Sequence, residues 1–394
     1  MHITPEMVEQ VRAAVRPPRL LETAVALVEI PSPTRDAGRA AERLAQILSA
    51  DGFDVARPVA GWPAAPAVAA RLRASAAGRT IQFDGHLDTV HLPFVPPRVE
   101  AGVLYGSGAS DMKGGIAAMV EAARALRDAR LLTAGGILIT AHDLHESPWG
   151  DGSQVDGLID EGFLGDGVLL PEYVCDRLPV AGRGLAILEA VFRRPGAPMH
   201  EVQGGIDQPN VIAAGAEAIR RLGELDRRLA QRSHPMAGRE SAFVGQAAGG
   251  EIYNQSPTEF RLAGTRRWLA GARFDEVRAE CRQLLDAVAA ETATTADMKL
   301  TFVRDAFELD RGHALVAAFH AACQGAMGRT LPEGGKPFVD DGNSFIARGR
   351  VPAITHGPDA KGAHTLHEAV PVDELVRVAV VYALTAMAFC EAAC

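Results

Sequence analysis

YGSGASDMKGG, residues 105–115, is the most informative segment of this chain. It joins a short apolar segment to a stretch at 112–130, MKGGIAAMVEAARALRDAR, whose apolar residues recur at helical spacing. Glycines bracket Asp111 in this predicted strand-to-helix turn, but their spacing matches neither G-x-G-x-x-G nor G-x-x-x-x-G-K-[ST]. A nucleotide-binding loop is therefore only a remote alternative. We expect Asp111 to lie at the carboxyl ends of the strands, where open α/β sheets bind ligands.

Imidazoles and carboxylates also cluster in four other segments, most of them at the ends of predicted strands. These segments are FDGHLDTV at 83–90, AHDLHESPWGDG at 141–152, LLPEYV at 169–174 and THGPDAKGAHTLHEAV at 355–370. Any one cluster is more often a set of ordinary surface residues, but several at successive strand ends indicate a site. Imidazole and carboxylate ligands without thiolates are typical of a catalytic zinc site or a related divalent site.

The order of the predicted elements indicates a domain interrupted by a smaller one. At first, strands alternate with helices as in βαβ units, which predicts an α/β sheet. Later the pattern changes to longer strands and helices, at 186–194, 211–230, 259–268, 274–290 and 298–304. We interpret these five segments as belonging to a βαββαβ order, which has one strand more and is the order of a ferredoxin-like domain. The predicted domains are a catalytic α/β domain from residues 1–183 and 309–394 and an inserted α+β domain at 184–308.

The composition excludes several classes of function. The chain has 394 residues, 47% hydrophobic and 23% charged, with a formal net charge of -9, as in a globular protein of about two domains. This charge, without a Lys/Arg run, argues against a nucleic-acid or membrane partner. The 5 cysteines include no C-x-x-C pair, which supports neither a disulfide framework nor a thiolate zinc site. We expect a cytoplasmic protein with a small ligand.

Taken together, the motifs resemble those of one metallopeptidase family. HLDTV, YGSGASDMKGG, a Glu-containing turn, a strand-end Glu and AHTLHEAV occur in the order seen in aminoacylase, carboxypeptidase G, acetylornithine deacetylase and succinyl-diaminopimelate desuccinylase. The resemblance spans nearly the whole chain. It implies a zinc-peptidase-like catalytic domain with a mixed sheet and two divalent ions, usually Zn²⁺, although Co²⁺ or Mn²⁺ would suit the same ligands. It also implies a ferredoxin-like lid domain that often forms a homodimer.

The resemblance assigns a role to each residue of the predicted metal centre. Asp111 would bridge the two ions, His86 and Glu172 would complete one site, and Glu146 and His364 would complete the other. Asp88 would orient His86, since a metal-bound histidine usually has its second ring nitrogen held by an acceptor. We prefer His364 to His367 because the family's histidine precedes a glutamate, here Glu368, by four positions.

Three residues of the predicted lid resemble substrate-binding positions of the family. The segment RRPGAPMHEVQGGIDQPNVI at 193–212 resembles a motif in which a histidine reaches the neighbouring subunit's active site to stabilise the oxyanion. That histidine would be His200, with Asn210 beside it. The segment GTRRWLAG points to Arg267 as the residue that grips the substrate carboxylate in a bidentate fork. An exposed strand-end arginine is the alternative, because Arg266 is adjacent.

The chain departs from the family in the third motif. The family has two consecutive acidic residues there, a general base and a metal ligand, whereas this chain has His145 and Glu146. Either His145 is the base and Glu146 the ligand, or Glu146 is the base and His142, Asp143 or His145 is the ligand. A third alternative is a protein that binds metal but has lost catalysis.

The sequence therefore predicts a metal-dependent amidohydrolase of the peptidase or deacylase type. Its substrate would be an N-acyl amino acid or a short peptide-like molecule with a free carboxylate. The alternatives are amide synthesis or acyl transfer on the same scaffold, and a degenerate homologue that only binds metal or a carboxylate ligand.

Overall fold

The computed structural model describes residues 3–204 and 208–391, which form two compact units. The first unit comprises the described residues up to Val180, Leu309–Gly334 and the residues from Asp340 onward. The second comprises the described residues of Ala181–Glu308 together with Gly335–Val339. Among the described helices, none has the length and apolar character that crossing a bilayer would require.

The helices are α1 (Pro5–Ala14), α2 (Pro17–Val28), α3 (Gly38–Ala50), α4 (Lys113–Asp128), α5 (Ser153–Asp160), α6 (Val211–Leu229), α7 (Phe274–Glu291), α8 (Ala314–Met327), α9 (Asp341–Ala347) and α10 (Val372–Cys390). The strands up to the start of the second unit are β1 (Asp54–Ala56), β2 (Val68–Arg73), β3 (Ala76–His86), β4 (Arg98–Glu100), β5 (Val103–Tyr105), β6 (Ala134–His142), β7 (Gly167–Leu170) and β8 (Leu178–Gly182). The following strands are β9 (Gly184–Arg193), β10 (Met199–His200), β11 (Ser233–His234), β12 (Gly238–Arg239), β13 (Ser241–Gly249), β14 (Gln255–Ser256), β15 (Glu259–Trp268) and β16 (Thr295–Arg304). The last strands are β17 (Phe307–Glu308), β18 (Glu333–Lys336), β19 (Ala353–Thr355) and β20 (Ala369–Pro371).

A six-stranded mixed sheet, in the order β1, β2, β6, β3, β7, β19, forms the centre of the first unit. β3 runs parallel to β6 and β7, and β7 runs parallel to β19, whereas β2 is antiparallel to β6. β7 is buried along its whole length, as expected of a parallel strand covered on both faces. β3 and β6 end in register at His86 and His142. The carboxyl ends of these strands therefore meet at one edge of the sheet.

Two helices with little polar surface pack in this unit. Most of α4 and α10 is buried, and the two helices contact each other. The close approach of α4 to the end of β7 explains one glycine of the YGSGASDMKGG motif. A Cβ atom at Gly115 would lie 2.4 Å from the carbonyl oxygen of Pro171. Gly115 therefore lets the start of α4 pack beside the residue that precedes Glu172.

The second unit contains the elements β9, α6, β13, β15, α7 and β16 in chain order. Their antiparallel sheet has the order β13, β15, β9, β16, and its apolar core includes residues of both helices. The predicted α/β class with a ferredoxin-like α+β insert is confirmed. β13 is a strand that no predicted segment covered, because the residues of SAFVGQAAG are mostly small and mostly exposed.

Candidate metal centre

His86 stands at the end of β3, and its ring is fully buried. Its Nδ1 donates a hydrogen bond to the backbone carbonyl of Asp88 at 2.9 Å, which leaves Nε2 as the nitrogen that can bind a metal. Nε2 lies 3.2 Å from Oδ1 of Asp111 and 3.8 Å from Oε1 of Glu172. The ends of β3 and β7 and the turn before α4 thus bring three potential ligands together.

Asp111 presents its two carboxylate oxygens to different histidines. Oδ1 faces His86, whereas Oδ2 lies 3.2 Å from Nε2 of His364. The same nitrogen of His364 lies 3.2 Å from Oε2 of Glu146. Asp111 therefore stands between a pair formed by His86 and Glu172 and a pair formed by Glu146 and His364. A carboxylate that bridges two ions needs this arrangement.

A second buried carboxylate, that of Glu368, holds the turn that carries Asp111. Its Oε1 accepts the N–H of Gly108 at 3.0 Å, and its Oε2 accepts the N–H groups of Ser110 and Asp111 at 3.1 and 3.0 Å. Burial raises the pKa of Glu368 to about 7, while the N–H donors act in the opposite direction. The segment that supplies His364 is thereby tied to the turn that supplies Asp111.

The carboxylate of Asp88 organises the third motif. Its Oδ2 accepts the backbone N–H groups of His145 and Glu146 at 3.1 and 2.9 Å. Its Oδ1 lies 3.6 Å from Nδ1 of His86, farther than its own backbone carbonyl. Asp88 therefore contacts His86 chiefly through the main chain, and its side chain positions the residue pair at 145–146.

His145 lies against the ring of His86. The two ring centroids are 3.9 Å apart and the planes differ by 5°. Nε2 of His145 is 3.8 Å from Oε1 of Glu172, and Nδ1 is 2.6 Å from Oδ2 of Asp341. Geometry alone allows His145, His86 and Glu172 to share one ion. A second grouping of potential ligands combines His86 with Asp111 and Glu146.

The other two ligands considered for the third motif have different partners. Nε2 of His142 lies 3.3 Å from Oδ2 of Asp84 and 3.5 Å from Oδ2 of Asp341. The carboxylate of Asp143 accepts three backbone N–H groups, those of Arg35, Ala37 and Leu144. His142 and Asp143 therefore have partners other than His364, which lies against Glu146. The register of the third motif stays a prediction.

The charges of the site favour a bound cation. Burial and the charge of Asp111 raise the pKa of Glu172 well above its ordinary value. Although burial acts to raise the pKa of Asp111, hydrogen bonds from His364 and His86 lower it. Glu146 adds a third buried carboxylate to the group. Because buried carboxylates are costly without positive partners, this donor set suits divalent ions.

Asp341 is a residue of the site that the sequence interpretation missed. It belongs to the first turn of α9, where paired acidic residues are usually read as helix caps. Its neighbour Asp340 does cap this helix, because its Oδ1 accepts the N–H of Gly342 at 2.8 Å. The sequence carried no signal that Asp341 contacts His145, which is 196 positions away.

Arg267 lies in the second unit, on β15, and is half-buried. Burial and the nearby Arg183 lower its pKa. Within the part of the chain that the structure describes, no carboxylate forms a salt bridge with Arg267. Arg266, by contrast, is buried and binds Glu240 at 2.7 Å and Glu280 at 3.0 Å. Of the two adjacent arginines, Arg267 is thus the one available to an external anion.

His200 and Asn210 also belong to the second unit, and both are exposed. Nδ1 of His200 lies 2.9 Å from Oε2 of Glu201. The side chain of Asn210 caps α6 by accepting the N–H groups of Ile212 and Ala213 at 2.9 and 3.2 Å. The substrate-binding role of Asn210 stays a prediction, and the cap alone gives this residue a structural role.

The comparison with known families matches this geometry. A sequence model of peptidase family M20/M25/M40 matches residues 83–388. The chain belongs to this family. The predicted family is thereby confirmed, as is the prediction of a hydrolytic enzyme of the metallopeptidase and amidohydrolase type.

Three similar proteins illustrate the range of the M20 family. The chain is 28% identical over 391 residues to succinyl-diaminopimelate desuccinylase of Methylorubrum extorquens, with 92% of this chain and 96% of that protein covered. Aminopeptidase PepT from Bacillus cereus shares the fold with a TM-score of 0.80 at 21% identity, over 95% of this chain and 99% of that one. The YXEP protein of Bacillus subtilis, a dinuclear metal binding peptidase, shares it with a TM-score of 0.69 at 16% identity, over 96% and 99%.

Proposed function

We propose that this M20 protein hydrolyses the amide bond of an N-acyl amino acid, or of a short peptide-like substrate with a free carboxylate, and that it does so with two divalent metal ions. The observation that carries the proposal is the position of Asp111, whose two oxygens each lie 3.2 Å from a different histidine. The name of the relative from Methylorubrum extorquens, a desuccinylase, supports an acylated amino acid as the substrate class.

The proposed ligands are His86 and Glu172 for one ion, Glu146 and His364 for the other, and Asp111 for both. Imidazole nitrogens and carboxylate oxygens suit Zn²⁺, and they also suit Co²⁺ and Mn²⁺. When bound, the two ions supply Lewis acidity toward the amide carbonyl and lower the pKa of a water molecule.

The remaining chemistry falls to residues of the chain. We assign the general base to His145, which takes a proton from the attacking water and passes it to the leaving amine. His145 suits this role because its ring lies beside His86 and Glu172 without needing to be a ligand. Glu146 stays in the ligand set because its carboxylate lies against Nε2 of His364.

We assign recognition of the substrate carboxylate to Arg267. A half-buried guanidinium without a carboxylate partner among the described residues suits a bidentate bond to an external carboxylate. Arg183, close enough to lower the pKa of Arg267, adds positive charge to the same part of the second unit. A substrate without a carboxylate should therefore bind weakly.

We further propose a homodimer formed through the second unit, in which His200 of one subunit stabilises the oxyanion in the other. Large apolar side chains are exposed on this unit, namely Val202, Phe243, Ile252 and Tyr253. β13, which carries Phe243, is an edge strand of its sheet. An exposed edge with apolar neighbours is commonly covered by a partner.

A hydrolysis screen tests the proposed function. The metal-loaded protein is incubated with a panel of N-acetyl, N-formyl and N-succinyl amino acids and dipeptides, and the released amine is measured. We expect turnover of at least one class, lost on treatment with a chelator and restored by Zn²⁺, Co²⁺ or Mn²⁺. Methyl esters of the active substrates are the matched control for the carboxylate. No turnover over the whole panel by protein carrying two ions would contradict the proposal.

Two variants decide the register of the third motif. His145→Ala should keep both ions but lose about 10²–10⁴-fold in kcat, as expected for removal of a general base. Glu146→Ala should lose one ion. The two registers predict opposite results for these variants when their metal content and single-turnover rates are measured. If His145→Ala loses an ion while Glu146→Ala keeps two and loses only turnover, Glu146 is the base.

A further inference from the structure

A second group of imidazole and carboxylate side chains lies beside the proposed metal centre. It consists of Asp84, His142 and Asp341, all of them buried. Nε2 of His142 lies between the two carboxylates, 3.3 Å from Asp84 and 3.5 Å from Asp341. None of these residues belongs to the proposed ligand set.

Asp341 connects this group to His145. Its Oδ2 lies 2.6 Å from Nδ1 of His145, whereas the Nε2 of that ring is 3.8 Å from Glu172. Three contacts thus define the position of His145: this bond, the stacking on His86, and the backbone bond to Asp88. The ring has its Nδ1 edge on Asp341 and its Nε2 3.8 Å from Glu172.

The bond also selects a tautomer of His145. A carboxylate can only accept, so Nδ1 carries the proton in this bond and Nε2 of the neutral ring carries a lone pair. A general base needs its lone pair on the nitrogen that faces the reacting water. We propose that Asp341 is a positioning residue that holds His145 with Nε2 free toward the metal centre. This inference rests on the proposed function, in which His145 is the base.

His142 contacts the same carboxylate oxygen of Asp341 that faces His145, at 3.5 Å. Nδ1 of His142 donates to the backbone carbonyl of Asp143 at 3.1 Å, so a neutral ring would turn the lone pair of Nε2 toward two carboxylates. A protonated ring instead donates to them. Burial alone would lower the pKa of His142, but Asp84 and Asp341 raise it to about 9.

The far end of this chain of contacts is also anchored. Oδ1 of Asp84 accepts the hydroxyl of Thr140 at 2.5 Å, and that hydroxyl in turn accepts Nε2 of Gln82 at 2.8 Å. All three side chains lie on the central strands β3 and β6. Asp341 and His142 therefore link the ring of His145 to buried side chains of the central sheet.

A double-mutant cycle tests whether Asp341 acts through His145. With an N-acyl amino acid that the wild type hydrolyses, Asp341→Asn should lower kcat about 10²–10⁴-fold, since an amide can donate to Nδ1 and favour the other tautomer. KM and the two bound ions should be unchanged. In the His145→Ala background the same substitution should change kcat less than about 2-fold, because effects within one unit are not additive.

Asp340→Asn is the matched control, because it makes the same isosteric change in the cap of α9. Asparagine caps a helix about as well as aspartate, so this variant should fold and should not reproduce the kcat loss. An equal kcat loss from Asp341→Asn in both backgrounds, or loss of an ion from that variant, would show a structural role and overturn the proposal. A third ion per chain that disappears in Asp84→Asn would also overturn it, because that ion would replace the bridging imidazolium.

A measurement that needs no activity separates this inference from the proposed function. Nitrogen-15 NMR of the histidine rings in the Zn²⁺-loaded protein reports which nitrogen of His145 carries the proton, with His145→Ala giving the assignment. We expect a protonated Nδ1 in the wild type. A protonated Nε2 would refute the positioning role even in an active enzyme. If no substrate is turned over, the proposed function fails, and this spectrum still decides the placement of the ring.

Discussion

Replacing His142 should show how much the buried group of Asp84, His142 and Asp341 contributes to the free energy of unfolding. The side chain lies between Asp84 and Asp341, and all three are almost completely inaccessible to solvent. His142→Asn removes the positive charge that lies between the two buried carboxylates. Removing one partner of a buried ion group costs about 3–5 kcal/mol. We therefore expect a marked loss of stability near pH 7, with the ligand residues intact.

The pH dependence of that loss follows from the pKa of His142. Burial lowers this pKa and the two carboxylates raise it, to about 9 from 6.5. Each pKa unit corresponds to about 1.4 kcal/mol, so protonated His142 contributes roughly 3 kcal/mol. Because the pKa is raised in the folded state, this contribution is fully present below pH 6.5 and is lost as the pH rises through 9.

Thermal unfolding of the wild type and the variant, both free of metal, measures this contribution. At about 1–2 °C per kcal/mol for a chain of this length, the two melting temperatures should differ by roughly 3–6 °C more at pH 6 than at pH 10. His367→Asn, which changes an exposed histidine, is the control and should show no such trend. A difference between wild type and His142→Asn that is the same at pH 6 and pH 10 would refute the reasoning, because the ring would then be neutral in the folded protein.

Three further predictions concern the metal centre and the second unit. Asp111→Ala should lose affinity for both ions and abolish hydrolysis; a variant that keeps two ions and near-normal turnover would disprove the dinuclear assignment. His200→Ala should lower kcat about 10²–10³-fold with little change in metal content, and mixing it with Asp111→Ala protein should restore some activity, whereas verified heterodimers without activity would exclude action in trans. Arg266→Met should destabilise the second unit by up to about 3–5 kcal/mol, because the buried Glu240 keeps only the exposed Arg232, 3.5 Å away, as a charged partner; unchanged hydrogen exchange at residues 259–268 would contradict this.

The sequence predicted the parts of the centre that depend on local pattern. His86 and Glu172 follow buried apolar strands, and Asp111 precedes a helix, so strand and helix periodicity was enough to place them near one sheet edge. The structure brings these residues together with Glu146 and His364, while their roles as ligands stay predictions.

The residues that the sequence did not predict depend on tertiary contacts or on a competing local role. The contact of Asp341 with His145 arises because the first turn of α9 packs beside the end of β6, and no spacing rule reaches across 196 positions. Asn210 fits a family motif, yet the backbone N–H groups at the start of α6 already bind its side chain. β13 has too few large apolar residues to show the alternation of a strand.

The hydrogen bonds from the Asp111 turn to Glu368 also bear on how the protein is made. These partners are 257 positions apart, and the histidine opposite Asp111 lies only four positions before Glu368. At ~5–20 residues per second, a ribosome needs roughly 10–50 s to add that length of chain. During this interval the proposed ligands His86, Asp111, Glu146 and Glu172 are already synthesised but lack the segment that carries His364. If the proposed ligands hold the two ions, both ions can bind only after the segment with His364 has been made, and metal content would then report how much newly made protein has finished folding.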